Sequence, residues 1–489
     1  MTIVDLASTG KPELLTRITI SALPDNVLLE IFDLYLDAAR LVLPTARGGR
    51  PDSWLALVHV CRRWRCVISA SPRRLELVVV CTVKRPVKRN IWPELPIAIV
   101  SKIPKSRRSQ SQGMKIIMAA LKQQHDRVCQ ILISDVPNSL LNKFAAMKTP
   151  FPALTHLHLL AADEGAPVLP ESFLGGSAPR LRWLMFQGVP FPALGKLLLS
   201  TPHLSNLSLH NIPHSGYISP DALVTGLSGL TRLEFLMLNF QSPRSRATRE
   251  SRVPPSLTRV VLPALTYLNF KGDSKYLEDM LSQMDAPVHV CIVIKFFNQL
   301  VFDTPLLRNL VERAVTFKAF HRAEITFSSH GVSFTLFQKH GPAEPEYQAL
   351  DLSISCKPSD WQLSSIAQVI GSAIPPLATL ERLKFGTYQP QLWQDHWQDD
   401  MENAQWLELL RLFASVKDLV LCGQFLRLVA PALGELNGER ETEELPALQN
   451  IFFEDFSEAL RSQEVIGPFI TARQISGCPV AVHLGKYCR

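Results

Sequence analysis

Three histidines stand at positions where their imidazole rings could act together. His156 and His158 alternate within one apolar run, and His210 lies at a comparable point of a later run. Imidazoles in such an arrangement could ligate zinc. No carboxylate pair and no C-x-x-C pair stands at ligand spacing beside them, and the segment 210–214 lacks the Glu of a zinc-protease helix. We therefore expect solvated polar side chains here and predict no metal site.

Nucleotide and acyl-transfer chemistry have no better support. The chain contains neither G-x-x-x-x-G-K-[ST] nor G-x-G-x-x-G, so it offers no glycine loop that could cradle phosphates. The segment Gly226–Gly229 is one residue short of the G-x-S-x-G nucleophile elbow. The sequence thus predicts no catalytic site, no cofactor and no enzymatic activity.

Composition limits the other classes of function. The chain has 489 residues, of which 46% are hydrophobic and 19% charged, and this rules out disorder throughout. Its apolar runs are shorter than the roughly 20 residues of a membrane helix, so no membrane partner is expected. Nine scattered cysteines and an N-terminus without a secretory pattern are typical of an intracellular protein, cytoplasmic or nuclear.

Basic charge is concentrated near the N-terminus. Residues 1–110 hold 18 Lys and Arg against 9 Asp and Glu, which leaves 33 basic (51 − 18) against 35 acidic (44 − 9) residues for the rest of the chain. Nucleic-acid grooves need a continuous positive surface. We predict no nucleic-acid partner, and we interpret residues 81–115 as a basic linker.

An internal repeat organises most of the chain beyond that linker. The phrase apolar-x-x-apolar-x-apolar recurs, and its three apolar residues are called anchors below. Strong copies have the anchors Leu154/Leu157/Leu159, Leu181/Leu184/Phe186, Leu204/Leu207/Leu209, Leu233/Leu236/Leu238, Leu265/Leu268/Phe270, Leu380/Leu383/Phe385, Val416/Leu419/Leu421 and Leu448/Ile451/Phe453. Weaker copies are Val128/Ile131/Ile133, Val288/Cys291/Val293, Phe320/Ala323/Ile325 and Tyr347/Leu350/Leu352.

Each phrase predicts a short strand with one buried face, because its last residues alternate with period two. Helical segments are predicted between the strands, at Asp221–Leu227, Lys275–Met284, Thr304–Val315, Trp361–Gly371 and Trp393–Phe413. Strand and helix in alternation favour a parallel sheet. The Phe-rich stretch Ile292–His340 is predicted to be a hairpin that decorates the array.

These phrases resemble leucine-rich repeats of the irregular, helix-containing kind. The resemblance implies an α/β solenoid over residues 116–489, with parallel strands on the concave face and helices outside. Residues between the anchors would then project from the strand face, where we expect a protein client to bind. The predicted client-binding residues are His156, His158, Trp183, Met185, Asn206, His210, Phe235, Met237 and Tyr267.

The N-terminal segment predicts two helical regions. In Ser21–Tyr35, Leu28, Ile31, Phe32 and Tyr35 have helical spacing, and Pro24 suits a first turn. In Trp54–Ala70, an apolar face is predicted for Leu57, Val60, Cys61, Trp64, Val67 and Ile68.

The phrases Leu23-Pro24-x-x-x-Leu28-x-x-Ile31-Phe32 and Leu57-x-x-Val60-Cys61-Arg62-Arg63-Trp64 resemble an F-box of the fungal type. This resemblance covers roughly residues 20–75 and implies a small three-helix domain, placed at 15–80. It further implies docking on a Skp-type adaptor that hangs from a cullin scaffold, in a ubiquitin ligase whose client is an unknown protein. The adaptor-binding residues so implied are Leu23, Pro24, Leu28, Ile31, Phe32, Val60, Cys61 and Trp64.

Two alternatives stay open. The helical segment could be merely the cap of a leucine-rich-repeat interaction scaffold without a ligase role. An enzyme with its site hidden in the concave face is the third class, which a deep pocket with a perturbed polar cluster would favour.

Overall fold

In the computed structural model, the described residues are 20, 23–41, 53–87, 94–243, 259–287, 290–315, 320–338, 346–356, 359–387, 403–422, 425–434, 445–453 and 456–484. The first part of the helix predicted over Trp393–Phe413 lies outside these residues, as do positions 88–93 of the predicted linker.

The helices are α1 Asp25–Leu41, α2 Ser53–Val58, α3 Arg62–Ala70, α4 Arg107–Gln123, α5 Asn138–Ala145, α6 Leu194–Leu198, α7 Pro220–Leu227, α8 Ser274–Gln283, α9 Pro305–Val315, α10 Ser359–Ala373, α11 Asn403–Arg411, α12 Phe425–Gly434 and α13 Phe456–Ile475. The strands are β1 Val79–Cys81, β2 Ile97–Lys102, β3 Val128–Val136, β4 His156–Ala161, β5 Trp183–Gln187, β6 Asn206–Ile212, β7 Phe235–Phe240, β8 Val260–Val261, β9 Tyr267–Gly272, β10 Met284–Asp285, β11 Cys291–Phe297, β12 Phe320–Ser328, β13 Gly331–Gln338, β14 Tyr347–Ser355, β15 Arg382–Thr387, β16 Asp418–Leu421, β17 Asn450–Phe453 and β18 Ala481–Leu484.

Within the described residues, sixteen strands form one sheet, in the order β1-β2-β3-β4-β5-β6-β7-β9-β11-β14-β13-β12-β15-β16-β17-β18. The anchors of every strong phrase are buried. They form a continuous core with the buried residues of α4–α13, so the helices cover one side of the sheet. The opposite side is called the open face below. This α/β arrangement is compatible with a leucine-rich-repeat solenoid, and it confirms the repeat that the sequence predicts.

Two polar residues interrupt the strands at equivalent places. Asp135 and Asn211 each stand two residues after a third anchor, and both have left-handed φ angles, 54° and 49°. The pairing register shifts at these points, between β3 and β4 and between β6 and β7. Asp and Asn tolerate the left-handed conformation better than most residues, so these bulges end the regular pairing of both strands.

The Phe-rich hairpin corrects the prediction of a purely parallel sheet. Ser328 pairs with Gly331 at the turn between β12 and β13, so the hairpin exists. It does not decorate the array, because β13 lies between β12 and β14 and is antiparallel to both. The outer partners β11 and β15 pair in parallel with β14 and β12. The hairpin thus supplies strands to the sheet itself.

One weak phrase is displaced by a residue. Its expected anchors were Val288, which lies outside the described residues, Cys291 and Val293, but Ile292 and Ile294 are buried in their place. Apolar side chains occupy both faces of this strand, so period-two alternation cannot distinguish them.

Residues 81–115 are not a linker where the structure describes them. They include the end of β1, all of β2 and the beginning of α4. Ile97 and Ile99 of β2 are buried in the core of the array. The basic residues of this segment suggest a linker, but its short apolar run forms the buried strand β2.

The N-terminal residues form a separate cluster of three helices, α1–α3, called the helical unit below. Its core contains Leu28, Phe32 and Ile68, and the ring centroids of Phe32 and Trp64 lie 4.7 Å apart. Arg63 donates to Asp25 Oδ1 at 2.6 Å and to the Leu23 carbonyl, which joins the start of α3 to the start of α1.

The second predicted helical region is divided. It forms α2 and α3, and Cys61 caps α3 by accepting a hydrogen bond from the Trp64 N–H at 3.4 Å. Because Val60 and Cys61 lie at this break, they are exposed and do not belong to the apolar face predicted for them.

The helical unit is attached to the first strand of the array. Trp54 Nε1 donates to the Val78 carbonyl at 2.9 Å. Leu77, Val79 and Leu95 complete the same apolar cluster as Leu28 and Phe32. The unit therefore packs on the edge of the sheet where the array begins.

Candidate interaction surfaces on the sheet and the first helix

The predicted client-binding residues come together in rows on the open face. Strand register aligns His156, Trp183, Asn206, Phe235 and Tyr267 across β4, β5, β6, β7 and β9. A second row contains His158, Met185, Ser208 and Met237, and His210 pairs with Gln187 in a third. These nine predicted residues thus share one surface, which we call the aromatic section. Their role in client binding stays a prediction.

The aromatic rings of this section stack on each other. The rings of Phe235 and Tyr267 lie 4.5 Å apart with an interplanar angle of 8°. His156 and Trp183 lie 6.2 Å apart, and Trp183 is 44% exposed. Neighbouring rings on a strand face hold each other in one rotamer, so a partner would meet a pre-organised apolar platform.

Ser208 departs from the exposed pattern. Although it lies on the open face, it is only 5% exposed because its register partners are Met185 and Met237. The two methionines lie on either side of a small residue, so the centre of the aromatic section is apolar and closely packed.

The three histidines of the open face are held in their neutral form. Burial lowers the pKa of His156, with a further contribution from Arg182. Burial also lowers the pKa of His158, with a further contribution from His210, and burial lowers the pKa of His210. Within the described residues, no group of three or more His, Cys, Asp and Glu could hold a metal ion.

These pKa shifts predict that acid weakens the fold. Below about pH 6.5, these histidines bind more protons in the unfolded chain than in the folded protein. The free energy of unfolding therefore decreases as the pH is lowered. The double variant His158→Gln/His210→Gln should show a smaller drop in melting temperature between about pH 7.5 and about pH 5.5 than the unmodified protein. His59→Gln/His330→Gln, which changes two exposed histidines, is the matched control. Identical pH slopes for all three proteins would contradict the assignment.

A pair of lysines next to the aromatic section was not predicted from the sequence. Lys271 of β9 and Lys295 of β11 are direct register partners. Burial lowers the pKa of Lys271, and so does the charge of Lys295. The Lys271 ammonium also lies 5.5 Å from the centroid of the Phe297 ring. The sequence alone did not predict that the two lysines are neighbours, because their pairing depends on the register of two strands that are separated in sequence by α8.

Beyond the hairpin, the charges of the open face are paired with each other. Arg322 contacts Glu346 at 3.3 Å and Arg382 contacts Asp418 at 3.4 Å. Asn450 donates to Asp418 at 2.9 Å. These contacts tie β15, β16 and β17 to each other on the open face.

The predicted adaptor-binding residues are divided between core and surface. Leu28 and Phe32 are fully buried inside the helical unit, and Leu23 and Trp64 are half-buried. Pro24, Ile31, Val60 and Cys61 are exposed. The last two directly precede α3, at the end of the unit where Arg63 contacts Asp25.

Helix α1 has a second apolar face outside the core. Leu28, Leu29, Phe32 and Leu36 point inward, whereas Val27, Ile31, Leu34 and Tyr35 are each at least about a third exposed. Positions 27, 31 and 34 recur at one-turn spacing and therefore lie on one side of the helix. Leu34, at 71% exposure, is the most prominent residue of this side, which we call the outer face of α1.

One pocket lies at the carboxyl ends of β6, β7 and β9. His214 Nε2 and Ser242 Oγ are 2.8 Å apart at its edge. Its enclosed volume of about 20 Å³ holds one or two water molecules, which is too little for a substrate. This pocket does not support the alternative of an enzyme with a hidden site.

Comparisons with known proteins identify no family. No protein-family model matches the chain, and no curated protein matches it. Among solved structures, it is similar to the leucine-rich repeat-containing protein LegL7 from Legionella pneumophila, with 13% sequence identity and a TM-score of 0.26. That similarity covers 67% of this chain and 93% of LegL7. The repeat architecture therefore rests on the buried anchors and the sheet register, and the F-box similarity stays a prediction.

None of the helices in the described part of the chain is long and apolar enough to cross a membrane.

Proposed function

We propose that this protein is the substrate-recognition subunit of a Skp-cullin-F-box type ubiquitin ligase. The helical unit docks on a Skp-type adaptor and thereby reaches the cullin scaffold. The open face of the array binds a protein client, and the protein itself carries out no catalysis. The two proposed partners then occupy different surfaces and can be tested separately.

The outer face of α1 carries this proposal. A helix that only capped the array would need one apolar side, and α1 already has that side in Leu28, Phe32 and Leu36. Its second apolar side, which includes Ile31 and Leu34, is exposed and can bind another molecule. Burying one leucine side chain stabilises a complex by about 1.5 to 3 kcal/mol, so this side could supply much of a docking energy.

We expect Leu34→Asp to weaken adaptor binding at least about tenfold, because the lost transfer energy of one leucine corresponds to that factor. The measurement is the dissociation constant of full-length protein for a purified Skp-type adaptor. Val168→Asp is the control, since Val168 is an exposed apolar residue of the array. Both variants should keep the melting temperature of the unmodified protein.

The alternative is a leucine-rich-repeat interaction scaffold without a ligase role. The contact of the helical unit with Leu77, Val79 and Leu95 favours it, because an end cap would pack in this way. Unmodified protein that fails to bind the adaptor would exclude the ligase role and leave the scaffold. Leu34→Asp protein that binds the adaptor normally would exclude only the outer face of α1 as the docking surface.

A further inference from the structure

The aromatic section lacks negative charge. Across β4, β5, β6, β7, β9 and β11, the open face carries no Asp or Glu within these strands, and its basic residues are His156, His158, His210, Lys271 and Lys295. The histidines are neutral near pH 7, as shown above. The two lysines are therefore the charges that a partner meets on this surface, and both are positive.

Within the described part of the chain, neither Lys271 nor Lys295 forms an ion pair with a carboxylate. Asp351 of β14 lies one row away, opposite Val293. Burial raises its pKa, although the Gln348 amide donates to it at 2.8 Å and Lys295 favours its charged form. Glu234 stands at the other end of the strands, before Phe235. Lys271 and Lys295 lie on adjacent strands, whose backbones are about 4.8 Å apart. Their charges repel each other, and a bound anion would relieve that repulsion.

We propose that the client segment is an extended acidic peptide that places an aromatic side chain on the aromatic section and a carboxylate between Lys271 and Lys295. This inference rests on the proposed client binding and specifies its chemistry. The Phe235–Tyr267 ring pair would hold the aromatic residue. Tyr267 and Lys271 are four residues apart on β9, about 13 Å along the strand, which an extended peptide also spans with about four residues.

A carboxylate fits this pair better than a phosphate. Phosphate sites commonly use arginine forks or the N–H groups of a helix N-terminus for their three oxygens, and a lysine that binds phosphate acts as a point charge. Here the donors are two lysines, which act as point charges, and one of them is partly buried beside the Phe297 ring. These two side chains offer a phosphate neither a planar fork nor backbone N–H groups for its three oxygens.

The test uses full-length protein and three pools of fluorescein-labelled peptides. Each pool has a Trp and a second fixed residue four positions apart, in either order, among random uncharged residues. The second residue is Glu, Gln or phosphoserine. We expect the Glu pool to bind at least about tenfold more tightly than the Gln pool, as for hydrogen bonds to charged groups. Lys271→Gln/Lys295→Gln should remove that difference, whereas Lys122→Gln/Lys275→Gln, with two exposed helical lysines, should keep it.

The variants separate this inference from client binding in general. Trp183→Ala/Phe235→Ala should weaken the Glu and Gln pools by the same factor, because it removes the platform and not the charges. Equal binding of Glu and Gln pools to the unmodified protein overturns the inference and leaves client binding by the aromatic section standing. Tighter binding of the phosphoserine pool overturns the carboxylate assignment. If none of the three pools binds, the inference is overturned as well. Adaptor docking is tested independently by the Leu34→Asp variant.

Discussion

Replacing Leu207 by Asp should destabilise the repeat array by about 4 to 5 kcal/mol, a loss of the size that severe core defects cause. Leu207 is completely buried, and its register partners are the buried Leu184 and Leu236. A carboxylate at this position would lie between two leucines with no donor to satisfy it, so it must remain protonated or unfold its surroundings. Each repeat depends on its neighbours for stability, so the damage should spread to β5 and β7.

Chemical denaturation gives the loss of stability, and hydrogen exchange gives its extent along the chain. Asn206→Asp is the matched control, because Asn206 is adjacent in sequence but projects from the open face. Its expected cost is below about 1 kcal/mol. Ser208 would be a poor control because it is buried between two methionines. Equal destabilisation by the changes at 206 and 207 would refute the strand register.

The repeat could be predicted because its strands have unlike faces. In β4 and β6, leucine anchors alternate with the polar residues His156 and His158 or Asn206, Ser208 and His210, so period-two alternation identifies the buried side. In β11 the alternation fails, because Cys291 and Val293 on one side are as apolar as Ile292 and Ile294 on the other. Only the packing of helices against one side decides which residues are buried there.

The same ambiguity affects α1. The spacing of Leu28, Ile31, Phe32 and Tyr35 suits one apolar stripe and does not show which of the four face the core. The folded unit buries Leu29 and Leu36 in place of Ile31 and Tyr35. When a helix is apolar on two sides, its sequence alone does not show which side faces the core. The lysine pair is a further example, since Lys271 and Lys295 meet only through the pairing of β9 with β11.

Phe32→Ala should destabilise the helical unit by about 3 to 5 kcal/mol, as expected for a buried phenylalanine. Phe32 is fully buried, and its ring lies 4.7 Å from that of Trp64 in an edge-to-face contact. The unit is small, so this loss approaches the whole stability of many domains. Hydrogen exchange should accelerate in α1 and α3, while the strands of the array beyond β2 keep their protection because they belong to a separate core.

Leu34→Ala is the informative partner of that change, because both residues lie on α1 but on different sides. Leu34 is exposed, so its loss should leave the free energy of unfolding within about 0.5 kcal/mol of the unmodified value. The two variants then separate folding from docking: Phe32→Ala should lose adaptor binding together with protection of the unit, and Leu34→Ala should weaken binding with protection intact. If Leu34→Ala instead lowered the protection of α1 as much as Phe32→Ala does, the outer face of α1 would belong to the core, and the docking surface would have to lie elsewhere on the helical unit.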